Sequence, residues 1–507
     1  EPRATSTVPN DNADWLMMIG PYVFGGSEGA AAYTPDNMVL DGLTFEKTPY
    51  GALVCNGNTD TLAAGAVNQC GLRVNNSVFR NNFMKGHAVL HVQFDENSGP
   101  TKLVVTQSQF LNNSRGYTNG GGSAIDFYGF RPEGGSKPPA ELLIDNSIFE
   151  GNTVGSGSVV GNSGVIDLKL EILNSRFIKN RSGLDRASGA IYVFCPGTVK
   201  CTGLIENNYF EGNFAGRPYE RTAGAVTWSG GGDLAIVGST FKNNKLSRYD
   251  FAGRRDMGGA ISVSNDSANN LSVAIRNSTF DGNRSPVGGA ISAFLKNNDK
   301  ISIESSTFAN NQSQGLGSLS DTNSPTFGGA FLYVSSALNA GESAAVDIKN
   351  TIAWGNGGAA SKSILMAGNE VQPTLAISNS VLQTACADVA AKFAYSDGWT
   401  EPDWEYFFTP SYNDFSPSCG SGIVTGDPTL QPLSVPLKSS TALKAVPSEP
   451  APVPVMLLGP NSSALDTAAA GVATDQRGIN RAALGGAAPD IGAVEMRYAT
   501  LAMAVTG

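Results

Sequence analysis

The chain has 507 residues, 41% of them apolar and only 15% charged, with a formal net charge of −10. It is too apolar for a disordered chain and too acidic for wholesale nucleic-acid binding, which needs clustered Lys and Arg. No apolar run approaches the roughly 18 residues of a membrane-spanning helix. Sixty glycines, with abundant Asn, Ser and Thr, leave a long, turn-rich β protein.

The opening Glu1-Pro2-Arg3 carries no basic and apolar leader, so any signal peptide is expected to have been removed. Trp15 to Phe24 (WLMMIGPYVF) reads as an apolar patch over one end of the fold, and residues 1–39 as an N-terminal cap.

Residues 40–383 are repetitive. An aromatic, two variable residues and an Asn recur at Phe79, Phe110, Phe149, Phe177, Phe210, Phe241, Phe280 and Phe308, with weaker copies at Phe45, Trp354 and Leu382. The spacing averages about 34 residues, a period that means a solenoid or a propeller. A second phrase, Gly-Gly-Ala-Ile or a close variant, interleaves with it at 122–125, 188–191, 223–226, 258–261, 288–291 and 328–331. Before each Phe the residues alternate apolar and polar, as in LLIDNSIF (142–149) and VAIRNSTF (273–280). That is strand patterning and excludes a helical solenoid. Coils of about three short strands predict an all-β, right-handed parallel β-helix of roughly eleven coils, capped at both ends.

Stacking at about 4.8 Å places each residue over its counterpart one coil earlier. Phe then forms an inward aromatic column. The trailing Asn is expected to take a left-handed turn and to join an axial amide ladder. The paired Gly is expected to supply positive φ at a sharp corner. Arg276, Glu304 and Lys349 fall at one outward position of consecutive coils, either a charge ladder or simply a solvated face.

The six cysteines fall into near pairs: Cys55 with Cys70, Cys195 with Cys201, and Cys386 with Cys419. There is no C-x-x-C, and His87 and His91 are the only imidazoles, so local disulfides are expected rather than zinc. No cofactor is expected, and calcium would be structural at most. Nine N-x-S/T sequons, Asn277-Ser278-Thr279 among them, matter only where the source glycosylates.

Loop insertions between the Asn and Gly-Ala phrases leave one corner of the coil and so stack into one surface. Three consecutive ones are basic: RSGLDRA (181–187), FAGRPYERT (214–222) and KLSRYDFAGRRDM (245–257). Arg186, Arg217, Tyr219, Arg221, Arg248, Tyr249, Arg254 and Arg255 are the candidate binding residues. With Arg181, Lys245 and Arg284 they form a positive corner able to hold uronate or sulfate groups through bidentate Arg contacts. Alternatively, Asp185, Glu220, Asp250 and Asp256 pair with these Arg residues and pin the loops. Polysaccharide lyases and hydrolases share the fold. A lyase would draw its charge neutraliser and base from Arg221, Tyr249 and Arg254, whereas a hydrolase needs a carboxylate pair.

Residues 384–425 form a disulfide-closed aromatic insertion carrying Trp399, Trp404, Tyr406 and Phe407. It would shield the flank or the open end of the coil stack, contact another subunit, or stack sugar rings. The Pro-rich stretch 433–459 reads as an extended surface strap.

The F-x-x-N and G-G-A-I phrases resemble the repeats of the polymorphic outer membrane protein family. Over 426–507, Gly426-Asp427-Pro428, Ala464-Leu465-Asp466, Asp475-Gln-Arg-Gly478, Arg481 and Asp490-Ile-Gly-Ala-Val-Glu495 resemble the choice-of-anchor Q domain. The resemblance implies a secreted or cell-surface β-helix. No translocator-barrel pattern follows Glu495, so the mode of attachment is open. The expected role is a non-catalytic structural protein or adhesin that forms a homo-oligomer or filament or binds surface glycans or proteins, without nucleic acid or a transmembrane segment. The alternative is a polysaccharide lyase acting on an acidic polymer.

Overall fold

The computed structural model describes residues 17–19, 38–48, 52–57, 70–84, 88–94, 101–115, 123–129, 140–155, 158–164, 167–183, 188–216, 222–247, 257–265, 267–313, 331–358, 363–368, 371–394, 412–414, 417–434, 452–481 and 488–496. Almost all of the regular structure is strand, and the strands wind as a parallel β-helix. One coil shows the plan. Ile191–Cys195 lies in a first sheet, Cys201–Glu206 in a second, Tyr209–Glu211 in a third and Phe214–Ala215 in a fourth, before the chain climbs to Val226–Gly230 in the first sheet again. Among the described residues these sheets hold 13, 12, 11 and 9 strands. A full coil therefore has four strands where the repeat suggests three. The fourth is two residues long, too short to leave a periodic signature.

The third sheet carries the core. From Phe45 to Phe308 nine rings stack with centroids 4.6–4.9 Å apart and planes within 9° of parallel. The register then corrects one expectation. Phe308 pairs with Ala353, not Trp354, and Ala353 with Leu382. Trp354-Gly355-Asn356 imitates the repeat with one residue too few, so the indole turns outward. The missing ring comes from Phe331, whose centroid lies 4.9 Å from that of Phe308 at a 37° tilt. Phe331 also shifts the Gly-Gly-Ala reading of 328–331 by one, because Leu332, not Phe331, pairs with Ile291. A similar exchange of size occurs where Gly203 leaves room for the buried Trp228: a Cβ there would lie 2.5 Å from the indole.

The Asn ladder runs from Asn82 through Asn113, Asn152, Asn180, Asn213, Asn244, Asn283 and Asn311 to Asn356. Asn213 is typical. Its Nδ2 donates to Asn244 Oδ1 at 2.9 Å and to the Phe177 carbonyl at 2.8 Å, while its own Oδ1 accepts from the Asn180 amide. Thr48 closes the lower end by donating to Asn82 Oδ1. The ladder Asn does not take the left-handed turn expected of it. The preceding residue does, as at Asn81, Asn112, Lys179 and Asn243. Nor do the paired glycines act through positive φ. At Gly224 and Gly259 a Cβ would collide with the carbonyl of the next coil's glycine, so close approach of backbones requires them.

A second ladder lies two residues before each column residue from Phe79 to Leu382, at Ser77, Ser108, Ser147, Ser175, Asn208, Ser239, Ser278, Ser306, Thr351 and Ser380. Each of the hydroxyls traced from Ser77 to Ser175 donates to the carbonyl two residues back and accepts an N–H from the coil before. Arg276 and Glu304 do stack, at 3.7 Å, and Glu304 is in register with Lys349. Lys349, however, donates to the Ala470 carbonyl instead.

Disulfides join Cys195 to Cys201, across a coil corner, and Cys386 to Cys419. Cys70 is also disulfide-bonded, while the side chain of its expected partner Cys55 lies outside the described residues. The edges of the aromatic insertion extend the coil stack. Ala390–Ala394 adds to the first sheet, Ser418–Cys419 to the second, and Tyr412–Asp414 pairs antiparallel with the former.

Candidate functional site: loop corner, C-terminal latch and flank cleft

The candidate residues Arg186, Arg217, Tyr219, Arg221, Arg248, Tyr249, Arg254 and Arg255 lie outside the described residues, as do Trp399, Trp404, Tyr406 and Phe407. The roots of the basic loops are described. Arg181–Ser182, Phe214–Ala215, Lys245–Leu246 and Arg284–Ser285 are successive strands of the fourth sheet, and Arg181, Phe214, Lys245 and Arg284 stand in one outward column. The three basic insertions leave directly above successive strands of this column and return into the first sheet. Arg181, Lys245 and Arg284 are exposed, and none has a salt-bridge partner among the described residues. The Arg181 guanidinium lies over the Phe214 ring, 4.9 Å from its centroid. Lys245 and Arg284 are direct neighbours, an arrangement of like charges that costs stability unless an anion relieves it. At about 4.8 Å per rung the column spans about 14 Å.

The C-terminal residues singled out from the sequence converge on the outer flank of the third sheet. Asp475 is buried and accepts from Arg477 Nε at 2.8 Å and from the backbone amides of Arg477, Ile479 and Glu495. Arg481, also buried, bonds Glu495 Oε2 at 3.2 Å, the Asp490 and Gly492 carbonyls, and Asn277 Oδ1 of the β-helix. Gln476 bridges two coils, donating to Thr240 and accepting from Thr279. Burial raises the carboxyl groups of Asp490 and Glu495 above the ordinary carboxylate range and lowers the Arg481 guanidinium. The described end of the Pro-rich strap continues along the same flank, where the Pro452 and Pro454 carbonyls accept from Arg176 and Thr240. These motif residues form a structural latch. They also settle part of the sequon question: Asn180, Asn283 and Asn311 are buried ladder rungs, and Asn277 is held by Thr474 and Arg481, so none is free to carry a glycan in the folded chain.

Between latch and flank opens a cleft of about 520 Å³. Its floor is the column one residue after the Phe column, where Lys242, Asp281, Ala309 and Trp354 occupy consecutive rungs. Asp427, Leu430, Leu433 and Met456 form the opposite wall. Lys242 is paired with Glu211 at 3.2 Å, and Asn310 donates to Asp281 at 2.9 Å. Sequence reading missed this site because its two walls lie more than seventy residues apart; the misfit in spacing at Trp354 was its one visible signal.

Of the two imidazoles, His91 is buried beside Asp126, with Nδ1 3.2 Å from the carboxylate, while His87 lies outside the described residues. Among the described residues no three His, Cys, Asp or Glu side chains gather to hold a metal ion, and no helix is long and apolar enough to cross a membrane. The fold makes the chain a disulfide-linked parallel β-helix solenoid. No family model, curated protein or solved structure matches it.

Proposed function

We propose that the chain is an extracellular, non-catalytic β-helix of the polymorphic outer membrane protein type, closed by a choice-of-anchor Q-like segment, which contacts acidic surface glycans through its basic loop corner. The observation that carries this reading is the column of exposed cations, Arg181, Lys245 and Arg284, without a salt-bridge partner among the described residues, at the roots of the Arg-rich insertions of a chain with net charge −10. A rigid ladder of cations along the rod axis suits a polymer that carries an anion on every sugar, and bidentate Arg contacts from the loops add geometric selectivity. The three disulfide-bonded pairs expected from the sequence suit an oxidising, extracellular location.

The test is incubation of the protein with polygalacturonate, following both binding and the ultraviolet absorbance of unsaturated products. Salt-sensitive binding without product, weakened in the triple change of Arg181, Lys245 and Arg284 to Ala, supports the reading. Release of unsaturated product overturns it in favour of a lyase acting through Arg221, Tyr249 and Arg254. A second reading, self-assembly, is favoured by Val39 and Leu43, which stand 56% and 37% exposed on the first described coil. Sedimentation across a concentration series tests it, and a monomer at all concentrations rejects it.

A further inference from the structure

We propose that the flank cleft is a second glycan site, and that it takes neutral hexopyranose units rather than acidic ones. The inference rests on the reading of the chain as a glycan-contact protein, but not on the basic corner. In volume the cleft falls within the usual range for small-ligand sites, about 300–1,000 Å³. Its central feature is Trp354, half-buried and turned outward because Ala353 holds the column position. Along that column its counterparts include Glu211, Lys242, Asp281 and Ala309, and none of these is aromatic. The indole packs against the apolar cluster that includes Ile352, Val381 and Leu458, but Ala309, one rung below, has no side chain beyond Cβ to cover it from that side. A flat apolar plate of this kind matches the C–H face of a pyranose.

The polar groups around the plate suit hydroxyls. Asp281 lies two rungs from Trp354, about 10 Å along the axis, and its carboxylate has acceptor capacity beyond the one bond from Asn310. Asp427 accepts the Thr429 amide through Oδ1, and its second oxygen, on the opposite wall, has no partner among the described residues. The Lys242 charge is engaged by Glu211. With two carboxylates and one neutralised cation, the cleft repels uronates and sulfates, the reverse of the loop corner. Leu430, Leu433 and Met456 complete an apolar wall that does not discriminate by charge.

Titration of the full chain with cellohexaose, mannohexaose and maltohexaose, followed by tryptophan fluorescence and calorimetry, tests the assignment, with hexagalacturonate as the acidic control. At least one neutral hexasaccharide is expected to bind, about tenfold or more weakly to Trp354→Ala and more weakly to Asp281→Ala, with Trp354→Phe retaining most of the affinity. The Arg181, Lys245 and Arg284 triple change is expected to leave this binding untouched while reducing hexagalacturonate binding, so the two glycan readings fail separately. Should Trp354→Ala loosen the latch, Asp281→Ala and Asn310→Ala at the cleft floor carry the test. The assignment is overturned by no response to any neutral hexasaccharide at millimolar concentration, or by binding that folded cleft variants leave unchanged.

Discussion

The β-helix and its C-terminal latch are joined in one structure by opposite physics. In the helix every contact is a copy: ring on ring, amide on amide, hydroxyl on backbone, repeated at each coil. In the latch every contact is unique, and a few buried charges and a small apolar cluster hold a segment that has almost no regular structure. A copied contact spreads its loss over neighbours that share the same geometry. A unique contact fails locally and completely. Substitutions in the two regions should therefore differ less in size than in reach.

The largest effect is expected from Phe177→Ala. The ring is fully buried between Phe149 and Phe210 at 4.7 and 4.9 Å, and its removal opens a cavity costing about 3–5 kcal/mol. Denaturant unfolding should show the loss in the main transition, because rings above and below lose a face. Asn213→Ala comes next, at about 3 kcal/mol. It strips the Phe177 carbonyl and the Asn180 amide of partners in a buried setting. Hydrogen exchange should rise on both sides of coil 213. A change confined to that coil would show that the ladder is not cooperative.

Arg481→Met has comparable local cost and shorter reach. It leaves Glu495 with its carboxylate buried and unpaired, a loss of about 3–5 kcal/mol where a buried ion pair is broken. Protection should vanish over 452–481 and 488–496 and persist in the coil strands, since among the described residues Arg481 hydrogen-bonds the β-helix only through Asn277. Loss of protection throughout would mean that the latch is part of the coil stack's own folding unit.

The same contrast decides what the sequence reveals. The Phe and Asn columns are legible because one geometric demand is written eight or nine times at a fixed period. Trp354 misleads because it meets the composition of the phrase while missing its spacing by one residue. The left-handed turn fell to the residue before the ladder Asn because the Asn itself needs an extended path to place its amide on the axis. The serine ladder was equally repeated but hidden in small polar residues that loops also use. The latch could not be read as geometry at all. Its defining contact, Arg481 to Asn277, joins residues 204 apart with no local pattern to announce it. The cleft fails for the same reason, being half repeat and half latch. The loop corner was legible as composition, and its described roots fix its register.

The smallest expected effect concerns pH, and the two regions respond with opposite sign. Glu141 is held below the ordinary range chiefly by its hydrogen bond to Lys102, at 2.7 Å, as Glu46 is by Arg80. Such groups contribute stability that is present above about pH 4 and lost as pH falls through their lowered folded values. Both pairs are exposed, so solvent keeps each contribution small. Asp490 and Glu495 are raised by burial, so the folded latch binds protons more tightly than the unfolded chain does. This contribution to its stability is therefore fully present below about pH 4 and is lost as pH rises through the raised folded values. Limited proteolysis should cut 452–496 more slowly at pH 5 than at pH 8, whereas exchange protection in the coil strands, corrected for the intrinsic rate at each pH, should change little between the two. Faster cutting at pH 5 would mean that the pairing of Glu495 with Arg481 outweighs its desolvation, and the latch would then obey the same rule as the surface pairs.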